Sequence, residues 1–289
     1  MKTAMSASET ASIVGIALVR NEDVFVDRAI RNAINFCDRL IIADHFSTDG
    51  TFDIVSKLAA EFPGKIELRR ITDTRESHFL ISGYAGSRTW IFAVDGDEIY
   101  DPTGLVRMRA EVLAGLYDES WLVFGNVLNC TAVDFTAGTA SGYLAPPCRS
   151  MTKLFNFNLI ESWNGAVTHV CANGTIKFKP GFDASQRLDL HKRFSWGDSH
   201  YRCLHTCFVR RSSLDAGTPI ARPNVSENRR GGLTILARKI VNCLLRKPSV
   251  SDWKLEKYAR GPLVTVDAVS FFRSPQAAEK GDHASEEER

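Results

Sequence analysis

The chain has 289 residues, a net charge of +2, and 44% hydrophobic and 24% charged residues. These are the proportions of an ordinary globular protein, with length for one large α/β domain or a domain plus an appendage. So balanced a charge argues against a general nucleic-acid binder, and no apolar run reaches the length of a spanning helix, about 18 residues. The seven cysteines form no CxxC pair, which suits reduced thiols in the cytosol better than a disulfide framework. Residues 1–11 lack the basic start and apolar stretch of a secretory leader and are expected to be flexible. The tail 274–289 has almost no large apolar residue and is expected to be disordered.

Ile13 to Val19 is a near-continuous apolar run, the mark of a strand covered on both faces, and it ends at Arg20-Asn21-Glu22. From Asp23 to Cys37, apolar Val26, Ala29, Ile30, Ala33, Ile34 and Cys37 recur at helical spacing. Arg39 to Ala43 is a second strand closing on Asp44, and Ser47 to Thr51 supplies turn and capping residues for a helix through Leu58. Pro63-Gly64 stops that helix, and Lys65 to Ile71 is a third strand. A helix begins near Glu76, and Trp90 to Val94 is a fourth strand that ends abruptly in Asp95-Gly96-Asp97-Glu98.

Strands alternating with helices imply a mostly parallel central sheet with right-handed crossovers. Asn21-Glu22, Asp44 and Asp95 to Glu98 would then share its carboxyl edge, where open α/β sheets bind ligands. Asp95 and Asp97 would face opposite ways on a continuing strand, and Gly96 permits the bend that brings them to one site. Hard oxygen ligands at such a turn suit Mg²⁺ or Mn²⁺ touching a substrate phosphate. Neither GxGxxG nor GxxxxGK[ST] occurs, which counts against nicotinamide enzymes and ATPases.

Three elements resemble family 2 glycosyltransferases. Val19-Arg-Asn21-Glu22 is similar to the Asn-Glu pair that opens the family, Asp44-His-Phe-Ser47-Thr-Asp49-Gly-Thr51 to its Asp-x-x-Ser-Thr-Asp-Gly-Thr element, and Trp90 to Glu98 to its apolar strand ending in Asp-x-Asp-Glu. The resemblance covers roughly residues 12 to 105 and implies a GT-A fold, a nucleotide-sugar donor, UDP-linked by preference, and a divalent metal. By that analogy Asn21, Glu22 and Asp44 bind the donor, with Asp44 on the uracil or ribose. Asp95 would hold the ribose or sugar, with the metal as a second option, and Asp97 the metal.

The second half is less regular. Pro102 onward reads as a helix, Trp121 to Leu128 as a strand, Gly138 to Pro147 as a loop over the donor site, and Cys148 to Phe155 as a strand whose Arg149 and Lys153 could meet phosphate. In Arg202-Cys-Leu-His205-Thr-Cys-Phe-Val-Arg-Arg211-Ser212, which loosely matches a late strand of the family, His205 is the candidate third metal ligand. Cys203, His205 and Cys207 alternate along one face, but not at the spacing of a zinc knuckle. An inverting transferase needs a carboxylate base, and the family's Glu-Asp element is not present. Asp198, after Gly197 and among aromatics, is the first candidate, with Asp183 and Asp189 as alternatives.

These readings divide the chain into a GT-A-like domain over 12–215, with a donor half 12–105 and an acceptor half 106–215, and a basic helical extension over 216–273. Within the extension, Arg229 to Lys247 carries six basic residues, no acid, and an apolar face of Leu233, Leu236, Ile240, Val241 and Leu244. Such a helix can lie on an anionic membrane surface or pack on its own domain. The expectation is thus a cytoplasmic, metal-dependent glycosyltransferase, peripheral at the inner face of the membrane, acting on a glycan or lipid-linked acceptor. A sugar-phosphate nucleotidyltransferase and a non-catalytic membrane-surface protein on a transferase scaffold are the alternatives.

Overall fold

In a computed structural model, residues 10–148, 152–164, 175–215 and 252–273 are described. The first hundred alternate as their apolar pattern predicts: β1 (Ser12–Val19), α1 (Val26–Ile34), β2 (Arg39–Asp44), α2 (Thr51–Glu61), β3 (Ile66–Arg70), α3 (Glu76–Ser82) and β4 (Thr89–Asp95). The four strands run parallel in the order β3-β2-β1-β4. Their register sets Val19 beside Asp44 and Leu18 beside Asp95, so β1, β2 and β4 end nearly flush.

After β4 the chain divides between sheets. β5 (Glu98–Tyr100) leaves the central sheet, and Asp101 then caps α4 (Pro102–Leu113), its carboxylate accepting from the Thr103 amide at 3.2 Å. The run 121–128, expected to be one strand, breaks at Gly125 into β6 (Leu122–Phe124) and β7 (Asn126–Asp134). A side chain at 125 would meet the carbonyl oxygen and ring of Tyr201, so the crossing between sheets requires glycine there. The loop expected over 138–147 is mostly strand: β8 (Thr139–Leu144) turns back on β7. Small residues hide that strand from periodicity.

β9 (Lys153–Asn156) follows, then the antiparallel pair β10 (Ile160–Asn164) and β11 (Thr175–Phe178), β12 (Arg187–Asp189), α5 (Leu190–Arg193) and β13 (Arg202–His205). The central sheet has the order β12-β6-β9-β4-β1-β2-β3, and every strand except β9 runs the same way. Helices flank it, which is the α/β architecture expected from the sequence.

Alternate residues of β1 enter different cores: Ala17 and Val19 pack with Val26, Ile30 and Val55 under α1 and α2, and Val14 and Ile16 with Ile41, Ile91 and Phe155 on the other face. A third cluster joins the central sheet to α4 around Phe92, with the Phe36 and Tyr100 rings edge-on at 4.8 Å. Truncating a ring so enclosed costs about 3–5 kcal/mol.

The helical extension expected over 216–273 needs correcting where it is described. Between α6 (Asp252–Tyr258) and α7 (Val269–Phe272) stands a strand, β14 (Leu263–Asp267), antiparallel to β8. Its alternating, β-branched Leu-Val-Thr-Val suits a strand, and it covers the edge of a second sheet ordered β14-β8-β7-β13-β5. Phe271 is fully buried and stacks on Trp196, and Asn32 donates to the carbonyls of Tyr100 and Phe271, both at 2.8 Å. Residue 215 is therefore not the end of the packed unit. Arg229 to Lys247 lies outside the described residues. Among the described residues no helix is long and apolar enough to cross a membrane.

Candidate active site

The candidate residues gather where β1, β2 and β4 end. Asn21 turns the chain after β1 with a φ of +53°, a left-handed conformation that asparagine tolerates. Its amide donates to Ser47 Oγ at 3.1 Å, and its side chain exchanges hydrogen bonds with Thr48. Glu22 N–H donates to Thr51 Oγ1 at 2.7 Å. Asn21 therefore ties two loops together, and the Asn-Glu and Ser-Thr-Asp-Gly-Thr elements form one scaffold.

Asp44 is fully buried and accepts from the Ser47 amide and from Arg70 Nε, each at 3.3 Å. Arg70 in turn stacks on Phe46 and Phe52, 4.7 and 4.1 Å from the ring centroids. Phe46 has a φ of +46° and is 47% exposed. A bulky residue in the left-handed region costs on the order of 1–3 kcal/mol and persists where the surroundings over-determine it. A flat, exposed ring, a guanidinium and a carboxylate thus meet at the end of β2.

Asp95 accepts from Lys153 Nζ at 3.2 Å across the β4–β9 pair. Gly96 then lets the chain pass against the Glu22 carboxylate, which a Cβ at 96 would strike. Asp97 follows at the same sheet edge but is only 2% exposed. Its Oδ2 is paired with the Arg211 guanidinium and lies 3.7 Å from His205 Nε2. Arg211 NH1 also lies 3.5 Å from Glu22 Oε1. Burial alone would weaken the charge of Arg211, but Asp97 and Glu22 outweigh it and raise its pKa. Glu98 is fully buried and accepts from the Asp95 amide at 3.2 Å; burial pushes its carboxyl well above the ordinary range, Asp95 and Asp97 adding to the effect.

The segment after β13 closes this edge. Ser212 Oγ donates to Asp49 at 2.6 Å, Ser213 N–H to Asp23 at 2.7 Å, and Val24 N–H to the Arg211 carbonyl at 3.1 Å. Burial opposes the Asp49 charge, and the hydrogen bonds from Ser212 and Thr51 more than compensate, leaving its pKa below the ordinary value. Sequence reasoning gave Arg211 no role. The Arg-Arg-Ser run after His205 was its one visible signal.

The candidate bases separate. Asp198 is exposed in the turn between α5 and β13, where it accepts from Ser195 Oγ at 2.5 Å. That turn precedes Arg202, and His205 lies at the other end of β13, so Asp198 is not brought to the Asp97–His205 pair. Asp183 is exposed and holds the Ser185 turn, whose hydrogen bonds lower its pKa. Asp189 ends β12 and pairs with Lys192 at 2.6 Å. Because β12, β6 and β4 run the same way, Asp189 lies on the same sheet edge as Asp95. Three strand spacings separate them, about 14 Å. Arg149 lies outside the described residues.

Among the described residues no three His, Cys, Asp or Glu side chains converge as a metal cage. Mg²⁺ and Mn²⁺ rarely need one; one or two protein ligands plus substrate phosphates suffice. Adjacent octahedral ligands each about 2.1 Å from one ion stand about 3 Å apart, and Asp97 Oδ2 and His205 Nε2, at 3.7 Å, are within a side-chain adjustment of that spacing. The carboxylates of Glu22, Asp95 and Asp97 outnumber the cations set against them, Lys153 and Arg211, so the residues present fit a divalent cation.

No protein-family model matches the chain, and no curated protein matches it. Among solved structures, the crystal structure of S. aureus TarS 1–349 in complex with UDP is similar at 15% identity and a TM-score of 0.36. The likeness covers 51% of this chain and 47% of that chain, under half of its length.

Proposed function

We propose that this protein is a glycosyltransferase that moves a sugar from a nucleotide-diphosphate donor, a UDP-sugar by preference, to a glycan or lipid-linked acceptor, with inversion and with Mn²⁺ or Mg²⁺ at Asp97 and His205. The observation that carries the reading is the gathering of Asp44, Asp95 and Asp97 at the flush carboxyl ends of β1, β2 and β4. Three carboxylates gathered at one sheet edge suit a GT-A-like donor site, and Asp97 serves the fold as well through Arg211. In this reading Asp44 and Arg70 take the polar edge of the base while Phe46 stacks on its face. Asp95 and Lys153 flank the ribose and sugar. Arg211 faces the diphosphate, where negative charge grows as the glycosidic bond breaks. A divalent cation bound there neutralises that same charge.

In the transfer the acceptor hydroxyl attacks the anomeric carbon, the bond to the diphosphate oxygen breaks with its electron pair, and a carboxylate takes the hydroxyl proton. We favour Asp189 as the base because it ends β12 on the same carboxyl edge of the sheet as Asp95, with Asp198 and Asp183 as the alternatives. Access to a lipid-linked acceptor would run through the basic segment Arg229 to Lys247. Co-sedimentation with anionic vesicles that weakens in high salt is the expected result, and protein left wholly in the supernatant at low salt removes that part of the reading.

The main test is thermal shift with UDP- and GDP-sugars, with and without Mn²⁺, together with release of the nucleoside diphosphate. A ligand at 100 times its Kd stabilises by about 2.7 kcal/mol. A metal-dependent shift with one sugar donor is expected. No shift and no release with any of them overturns the proposal.

A further inference from the structure

Asn129 on β7 stands directly beside His205 on β13, and both are buried. Its side-chain nitrogen Nδ2 lies 3.3 Å from Cys148 Sγ, 3.4 Å from the Tyr258 carbonyl oxygen and 3.5 Å from that of Tyr143. Those neighbours accept hydrogen bonds, so the amide NH₂ belongs on that side and Oδ1 on the other. Oδ1 lies 2.8 Å from His205 Nδ1. A carbonyl oxygen only accepts, so His205 Nδ1 carries the proton. In a neutral imidazole the lone pair then falls on Nε2, the nitrogen turned toward Asp97 Oδ2 at 3.7 Å. The Tyr258 ring meets the imidazole edge-on at 5.2 Å and limits its rotation.

The geometry points to Asn129 as a positioning residue: it holds His205 in the Nδ1–H tautomer and so directs the Nε2 lone pair to the place between His205 and Asp97 that a divalent cation would take. The inference rests on the metal reading proposed above. A group that hydrogen-bonds the distal nitrogen of a ligating histidine fixes the ring and its tautomer, and its loss weakens metal affinity about ten- to hundredfold. Asn129 touches neither a sugar donor nor an acceptor in this account. It acts through His205.

The test uses the full chain, ¹⁵N-labelled and metal-free at neutral pH. Long-range ¹H–¹⁵N spectra report the tautomer, with His205→Gln assigning the resonance. Titration with Mn²⁺ alone, read by electron paramagnetic resonance of the free ion, reports the site. His205 is expected as Nδ1–H in the parent. In folded Asn129→Leu that pattern is expected to disappear and Mn²⁺ affinity to fall ten- to hundredfold. An Nε2–H or doubly protonated ring in the parent overturns the inference without needing any variant to fold. So does Mn²⁺ affinity within twofold of the parent in Asn129→Leu once the tautomer has changed. A parent that binds no Mn²⁺ but shows the Nδ1–H ring instead sinks the metal reading, and with it the purpose given to Asn129.

Discussion

Arg211 and Asp97 form a buried ion pair that joins the turn after β4 to the segment after β13, with Glu22 sharing the same guanidinium at 3.5 Å. Side chains from three stretches of sequence far apart are thereby tied at one point of the crevice. Asp97 therefore serves the fold as well as the proposed site.

Removing one partner of a buried ion pair costs about 3–5 kcal/mol, because the other charge stays buried. Asp97→Ala is therefore expected to lose both metal-dependent donor binding and stability of that order, whereas a double change of Asp97 to Asn and Arg211 to Met should recover much of the stability and none of the donor binding. Urea unfolding and donor calorimetry on the three proteins separate the two effects. Asp97→Ala that unfolds at the parent's midpoint would show that the pair contributes nothing.

The candidate bases make opposite predictions. Asp189→Asn is expected to lower turnover by about two to four orders of magnitude with donor affinity nearly intact, the usual share of a general base. Asp198→Asn, in its exposed turn, should stay within a few-fold of the parent. Steady-state rates on the donor found by thermal shift decide the matter, and the reverse ranking returns the role to Asp198.

Phe46→Gly relieves the left-handed strain and removes the ring proposed to stack on the base. Base–aromatic stacking is worth roughly 1–3 kcal/mol, so affinity for the nucleoside diphosphate should fall about five- to hundredfold while the melting temperature holds or rises. Unchanged affinity by calorimetry would place the base elsewhere.

Burial lowers the pKa of His45 and of His191 below the ordinary value of 6.5. The folded state thus binds these protons less readily than the unfolded chain, and stability should decline as pH falls below about 6.5. The slope of unfolding free energy between pH 7 and 5 should be shallower in His45→Gln/His191→Gln. A slope equal to the parent's would mean that neither ring is the source.

The donor half was legible in the sequence because each strand there is a short apolar run closed by a polar cluster, and a parallel sheet gathers such ends on one edge. Asp44 and Asp95 could be located by that rule alone. The second half resisted it. Gly125 breaks one apolar run between two sheets, and β8 opens with four small residues, Thr139 to Gly142, that carry no apolar alternation. The choice among Asp183, Asp189 and Asp198 depends on strand direction, which no local pattern reveals. Arg211 could not be assigned for a similar reason: its partners Glu22 and Asp97 lie more than a hundred positions away in the chain.

That long reach bears on how the protein is made. Asp44, Asp95 and Asp97 leave the ribosome well before His205 and Arg211, and at roughly 5–20 residues per second the gap between Asp44 and His205 is about ten to thirty seconds. During that interval the nascent chain holds a carboxylate cluster without its arginine, its histidine or the β13 strand that backs β5. The proposed donor site is therefore complete only late, when the segment through Ser213 docks on Asp23 and Asp49. Stalled chains ending before Arg211 should bind no nucleotide, which a pull-down of ribosome-bound intermediates on a UDP matrix can read directly.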